Sequence, residues 1–77
     1  MTFVEKKDKL LQKFEFNNFS EAMDFVNKVA KLSERLNHHP NIAIYSYKYV
    51  AIEIYTHSED CITDKDYELA NFIDKIK

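Results

Sequence analysis

The chain contains no glycine. Only glycine enters left-handed backbone freely and lets a phosphate approach the main chain closely, so the Gly-rich cradles of P-loop and dinucleotide-binding folds are excluded. Turns that need a positive φ must then fall to asparagine or aspartate, which tolerate it best among the remaining residues. Asn17, Asn18, Asn37 and Asn41 all sit where the sequence pattern changes, and they are expected to mark element boundaries.

Between those boundaries the apolar period alternates between two and 3.6. In KLLQKFEF, Leu10, Phe14 and Phe16 fall on one face and Leu11, Lys13 and Glu15 on the other, which is the pattern of a half-buried strand. TFVEK before it is a weaker partner, with KDK as the turn. Asn18 followed by Glu21 resembles a capping box and opens a helix over about residues 19–37. Its stripe is Ala22, Met23, Val26, Val29 and Ala30, flanked by Phe25, Leu32 and Leu36. Pro40 disfavours helical geometry at His39, so the helix stops at Asn37 or His38 and the chain becomes extended. IAIYSY and YVAIEIYT form a second hairpin turning near Tyr47 and Lys48, with Ile42, Ile44, Val50, Ile52 and Ile54 on one face. After the loop HSEDCI, Leu69, Ala70, Ile73 and Ile76 mark a closing helix. The order ββαββα, with one-sided strands and one apolar stripe per helix, predicts an α+β fold: a four-stranded antiparallel sheet with both helices on one face.

Seventy-seven residues, 45% hydrophobic and 31% charged, form a single domain over residues 1–77. A domain this small buries only about 60% of its unfolded surface, and a four-stranded sheet leaves edges, so a homodimer or homotetramer is expected. The 11 basic and 13 acidic residues are interspersed, giving a net charge of -2 with no basic block for nucleic acid. No segment approaches the roughly 18 apolar residues of a membrane span or the core of a signal peptide, so a soluble cytoplasmic protein is expected. The lone Cys61 allows no intrachain disulfide and reads as an ordinary thiol.

Polar chemistry concentrates at two strand borders. His38 and His39 precede the first strand of the second hairpin and His57 follows its partner, so antiparallel pairing should bring His39 and His57 together. Each residue also has a plain structural use. His38 and His39 suit the negative end of a helix dipole, Glu34 lies four residues before His38 as a helix-surface partner, and Asp66 is third after Thr63 in an imperfect capping box.

Taken together, these residues form a pattern: Glu34, then His38, His39 and Pro40, the aromatic Tyr47, Thr56 with His57, and finally Asp66. In residue type and spacing, the stretch from about Leu10 to Ile76 resembles the pterin-4a-carbinolamine dehydratase family. Two positions depart from it: Ile42 stands where a tryptophan is usual, and Cys61 where a glycine is. The chain is also expected to lack the N-terminal helix of longer members. The resemblance implies removal of water from a 4a-hydroxytetrahydropterin to give a quinonoid dihydropterin, without cofactor or metal. Hydroxide leaves C4a while N5 loses a proton. Histidine, with an ordinary pKa of ~6.5, can act as acid or base in such a step near neutral pH. By the same resemblance His38 and His57 are the proton-transfer pair, His39 holds the pterin, Glu34 and Asp66 orient or charge-stabilise the imidazoles, and Pro40, Tyr47 and Thr56 complete the substrate site. Two other classes fit the same residues: a non-catalytic dimerisation or scaffold protein that keeps the fold, and a histidine-based metal site.

Overall fold

A computed structural model describes residues 2–56, 58–59 and 61–77. The two sequence periods build two layers. Strands β1 (Val4–Lys6), β2 (Lys9–Glu15), β3 (Asn41–Tyr45) and β4 (Tyr49–Ile54) form one sheet in the order β1-β2-β4-β3. Every pairing is antiparallel, with Leu10 opposite Ile54, and with both Phe14 and Ile44 opposite Val50. Helices α1 (Phe19–Leu36) and α2 (Asp64–Ile76) supply the second layer. The buried sheet residues Leu10, Phe14, Val50, Ile52 and Ile54 share one strand face, and they form a single cluster with Ala22, Phe25, Val29 and Leu32 of α1 and Leu69, Ala70 and Ile73 of α2. Both helices therefore cover the same side of the sheet, as the alternation requires.

The α1 stripe is centred on Ala22, Phe25, Val29 and Leu32, whereas Ala30, expected within it, faces outward. Asn18 caps the helix in extended backbone, its Oδ1 accepting from the Glu21 N–H at 2.9 Å. The short β1 is fastened to α2: the Thr2 N–H and hydroxyl donate to the Asp74 carboxylate, and the Tyr67 hydroxyl donates to Glu5 at 3.0 Å. That bond to a carboxylate raises the Tyr67 phenol above its ordinary 10.0. No helix among the described residues is long and apolar enough to cross a membrane.

None of the described residues covers the sheet's other side. Leu11, Ala43 and Ala51 floor a shallow depression of about 600 Å³, with Tyr45 and Tyr49 stacked at 5.5 Å beside it.

The asparagine rule for turns holds only in part. Among the described residues, positive φ occurs at Lys7, Asp8, Asn37, Ser46 and Tyr47, so Asn37 and Asp8 fit the expectation while Lys7, Ser46 and Tyr47 do not. Both hairpins close through loops with two consecutive left-handed residues, the geometry that matches strand twist, and without glycine the cost falls on whatever side chains stand there. Asn17 and Asn18 bound α1, and Asn41 begins β3, all without left-handed backbone.

Candidate active site

The site is assembled by the way α1 ends. Asn37 adopts left-handed backbone at φ 52° and ψ 42°. Its N–H bonds the Glu34 carbonyl at 3.2 Å and the His38 N–H bonds the Ser33 carbonyl at 3.0 Å, which is a Schellman closure with asparagine in the usual glycine place. The chain reverses at that point. His38 is carried off the helix surface toward the first turn of α2, and Pro40 leads into β3. Replacing Asn37 with alanine should cost roughly 1 kcal/mol in urea unfolding, and glycine should match or exceed wild type, because only a Cβ without a compensating polar group is penalised at this φ. An alanine variant as stable as the glycine variant would show that the turn does not need the left-handed residue.

Asp66 is the hub of the site and is fully buried. Its Oδ2 accepts from the Thr63 N–H at 2.7 Å and from the Thr56 hydroxyl at 2.9 Å, and its Oδ1 meets His38 Nε2. The Thr56 and Thr63 hydroxyl oxygens lie 2.6 Å apart. One carboxylate thus joins the end of α1, the exit of β4 and the start of α2. Each segment is placed independently: Thr56 lies two residues past β4, where its N–H bonds the Cys61 carbonyl at 2.9 Å, and Asp66 is the third residue of α2 after the cap Thr63. A carboxylate sealed from water is tolerated because all its neighbours are donors.

His39 sits differently. Its Nε2 pairs with Glu34 Oε2, and both side chains are open to solvent, 56% and 76% exposed, against 11% for the His38 side chain. This corrects the expected pairing of Glu34 with His38: the reversal at Asn37 turns His38 toward Asp66 and leaves the adjacent imidazole beside Glu34. An exposed pair of this kind contributes little to stability and leaves the imidazole free to adjust to a ligand, whereas the buried contact fixes His38. Pro40 is half-buried beside it. His57 lies outside the described residues, and so does its expected contact with His39.

Tyr47 is at the tip of the β3–β4 hairpin, 60% exposed, at the end of β3 remote from His39, which at 3.3 Å per strand residue is about 20 Å away along the strand. The structure therefore gathers Glu34, His38, His39, Pro40, Thr56 and Asp66, and does not bring Tyr47 to them. Sequence reasoning treated Thr63 only as a helix cap, although its spacing to Asp66 was the available signal. Among the described residues no three His, Cys, Asp or Glu side chains converge as a metal site would require.

The fold and site define a small α+β protein in which a buried carboxylate holds a histidine at a helix-to-strand corner. The chain belongs to the pterin 4 alpha carbinolamine dehydratase family, whose model matches residues 2–76. It is 42% identical over 72 residues to a Sulfolobus acidocaldarius protein named for the pterin-4-alpha-carbinolamine dehydratases, covering 94% of this chain and 78% of the relative. A Prochlorococcus marinus relative named in the same way is 47% identical over 77 residues, covering 99% of this chain and 78% of its own. Among solved structures, a transcriptional coactivator/pterin dehydratase from Brucella melitensis superposes with a TM-score of 0.84 at 32% identity, over 95% of this chain and 77% of that one. The same fold, at 24% identity and a TM-score of 0.77 over 96% of this chain and 84% of the other, occurs in a pterin dehydratase-like protein identified as a RuBisCO assembly factor in the alpha-carboxysome.

Proposed function

We propose that the protein dehydrates a 4a-hydroxytetrahydropterin by histidine acid–base catalysis. The observation that carries this reading is the buried Asp66 presenting His38 at the corner where His39 also emerges. Loss of hydroxide from C4a needs a proton delivered to the departing oxygen, and loss of the N5 proton needs a base. The products are water and the quinonoid dihydropterin. His38 and His57 are assigned to these transfers and the more exposed His39, with Glu34, to holding the pterin. Membership of the family supports the substrate class. Typical acid–base groups contribute about 10² to 10⁴-fold, enough for such a step without a metal.

The test is turnover of chemically generated 4a-hydroxytetrahydropterin. Wild type should exceed the spontaneous rate, and His39→Ala and His57→Ala should each lower kcat/KM by at least about tenfold. Wild type at background would end the enzyme reading and leave a scaffold role, for which the carboxysome assembly factor of similar fold is the precedent.

We also propose that the protein works in the cytoplasm as a homodimer or homotetramer. Strands β1 and β3 are free edges of the sheet, and β3 in particular offers five residues of unpaired backbone to a second copy. Light scattering at micromolar concentration should give two or four times the 9.2 kDa of one chain. A monomer mass alone would overturn this.

A further inference from the structure

The hydrogen-bond chain behind Asp66 has a direction, and the direction decides which atom of His38 does chemistry. Thr63 N–H can only donate, so Oδ2 accepts there at 2.7 Å. The Thr56 hydroxyl is 2.9 Å from the same oxygen, against 3.5 Å for the Thr63 hydroxyl, so Thr56 supplies the second donor. Having spent its single proton on Asp66, Thr56 must accept across the 2.6 Å contact, and the donor to it is Thr63. The protons therefore run from Thr63 to Thr56 to Asp66. With Oδ2 filled by two donors, the carboxylate can turn only by breaking both bonds, and Oδ1 stays aimed at His38 Nε2. Oδ2 accepts from two donors and an ionised carboxylate offers only acceptors, so the proton in the Oδ1 contact is carried by the ring nitrogen.

We propose that Thr63, acting through Thr56 and Asp66, is a positioning residue that holds neutral His38 with its proton on Nε2, leaving Nδ1 as the nitrogen that exchanges a proton with the substrate. This deepens the dehydratase reading and rests on it for the identity of that substrate. The arrangement follows the rule by which a carboxylate behind a catalytic or ligating imidazole selects its tautomer. It differs in that the carboxylate is itself locked by a directed pair of hydroxyls from a different segment and a helix cap. Thr63 touches neither His38 nor substrate. Its effect is confined to orientation.

The experiment is ¹⁵N and ¹³C NMR of the histidine rings at a pH where His38 is neutral, on wild type, Thr63→Val and Thr63→Ser, with turnover on the same samples. Valine keeps the branched shape and the N–H that bonds Asp66 but removes the hydroxyl, and serine restores it. Wild type should show His38 as the Nε2–H tautomer, Thr63→Val a mixture of the two tautomers with kcat about three- to tenfold lower and KM unchanged, and Thr63→Ser the wild-type pattern. A wild-type Nδ1–H tautomer, or a Thr63→Val protein with an unaltered His38 signature, would overturn the proposal whatever the activity. An inactive wild type with the Nε2–H tautomer lost in Thr63→Val would uphold the positioning and refute the dehydratase reading instead. A helix-cap defect alone would lower the unfolding midpoint without moving the tautomer, which also counts against it.

Discussion

Replacing His38 with glutamine should lower dehydration of a 4a-hydroxytetrahydropterin by about 10² to 10⁴-fold, the range expected when a positioned acid–base group is lost. Glutamine is the informative substitution because its side-chain N–H can still donate to Asp66 Oδ1, so the buried carboxylate keeps a partner while the imidazole is gone. Thermal unfolding should stay near wild type. An alanine at the same place would strip Asp66 of that donor and confound chemistry with folding, since a buried acceptor left unmade costs about 1–3 kcal/mol. Retention of activity within about threefold in the glutamine variant would remove His38 from proton transfer and shift the burden to His39 and His57.

Asp66→Ala should be the most destabilising single polar change in the chain, at about 3 kcal/mol by urea unfolding. The estimate rests on two donors, the Thr63 N–H and the Thr56 hydroxyl, stranded in a site closed to water, each costing roughly 1–3 kcal/mol, partly relieved by collapse or an entering water. For a domain of this size that is a shift of roughly 12–24 °C in the thermal midpoint. It is also a large share of a total stability on the order of 4–12 kcal/mol. A loss below about 1 kcal/mol would mean that the carboxylate is not the hub described, and that the His38 contact is a surface pairing.

Much of this architecture is local and therefore legible in the chain. The switch of period at Asn18, the Asn18–Glu21 cap and the block imposed by Pro40 are interactions among residues at most four apart, and each element they predict is present within a residue or two of its expected end. The failures share a cause. Lys7, Ser46 and Tyr47 take left-handed backbone because two-residue reversals between twisted strands demand it, a requirement of pairing between strands that outweighs single-residue preference. The expected Glu34–His38 pair assumed that His38 continues the helix surface. One left-handed residue at Asn37 removes it from that surface, and the four-residue rule passes instead to a partner five positions along. Asp66 combines both cases. Its capping bond to Thr63 is read from a spacing of three, whereas the oxygen that meets His38 spans 28 positions and is invisible to any local pattern.

That span ties the placement of His38 to the integrity of one helix end. The carboxylate that orients the imidazole is contributed by the first turn of α2, so fraying of that turn releases the Thr63 amide, the Thr56 hydroxyl and His38 in one event. A molecule opened at that turn keeps no oriented histidine. The lifetime of the His38–Asp66 arrangement is then the closed lifetime of one helix end, and amide exchange at Asp66 and Tyr67, whose N–H groups bond the Thr63 carbonyl, reports the population of molecules that hold it.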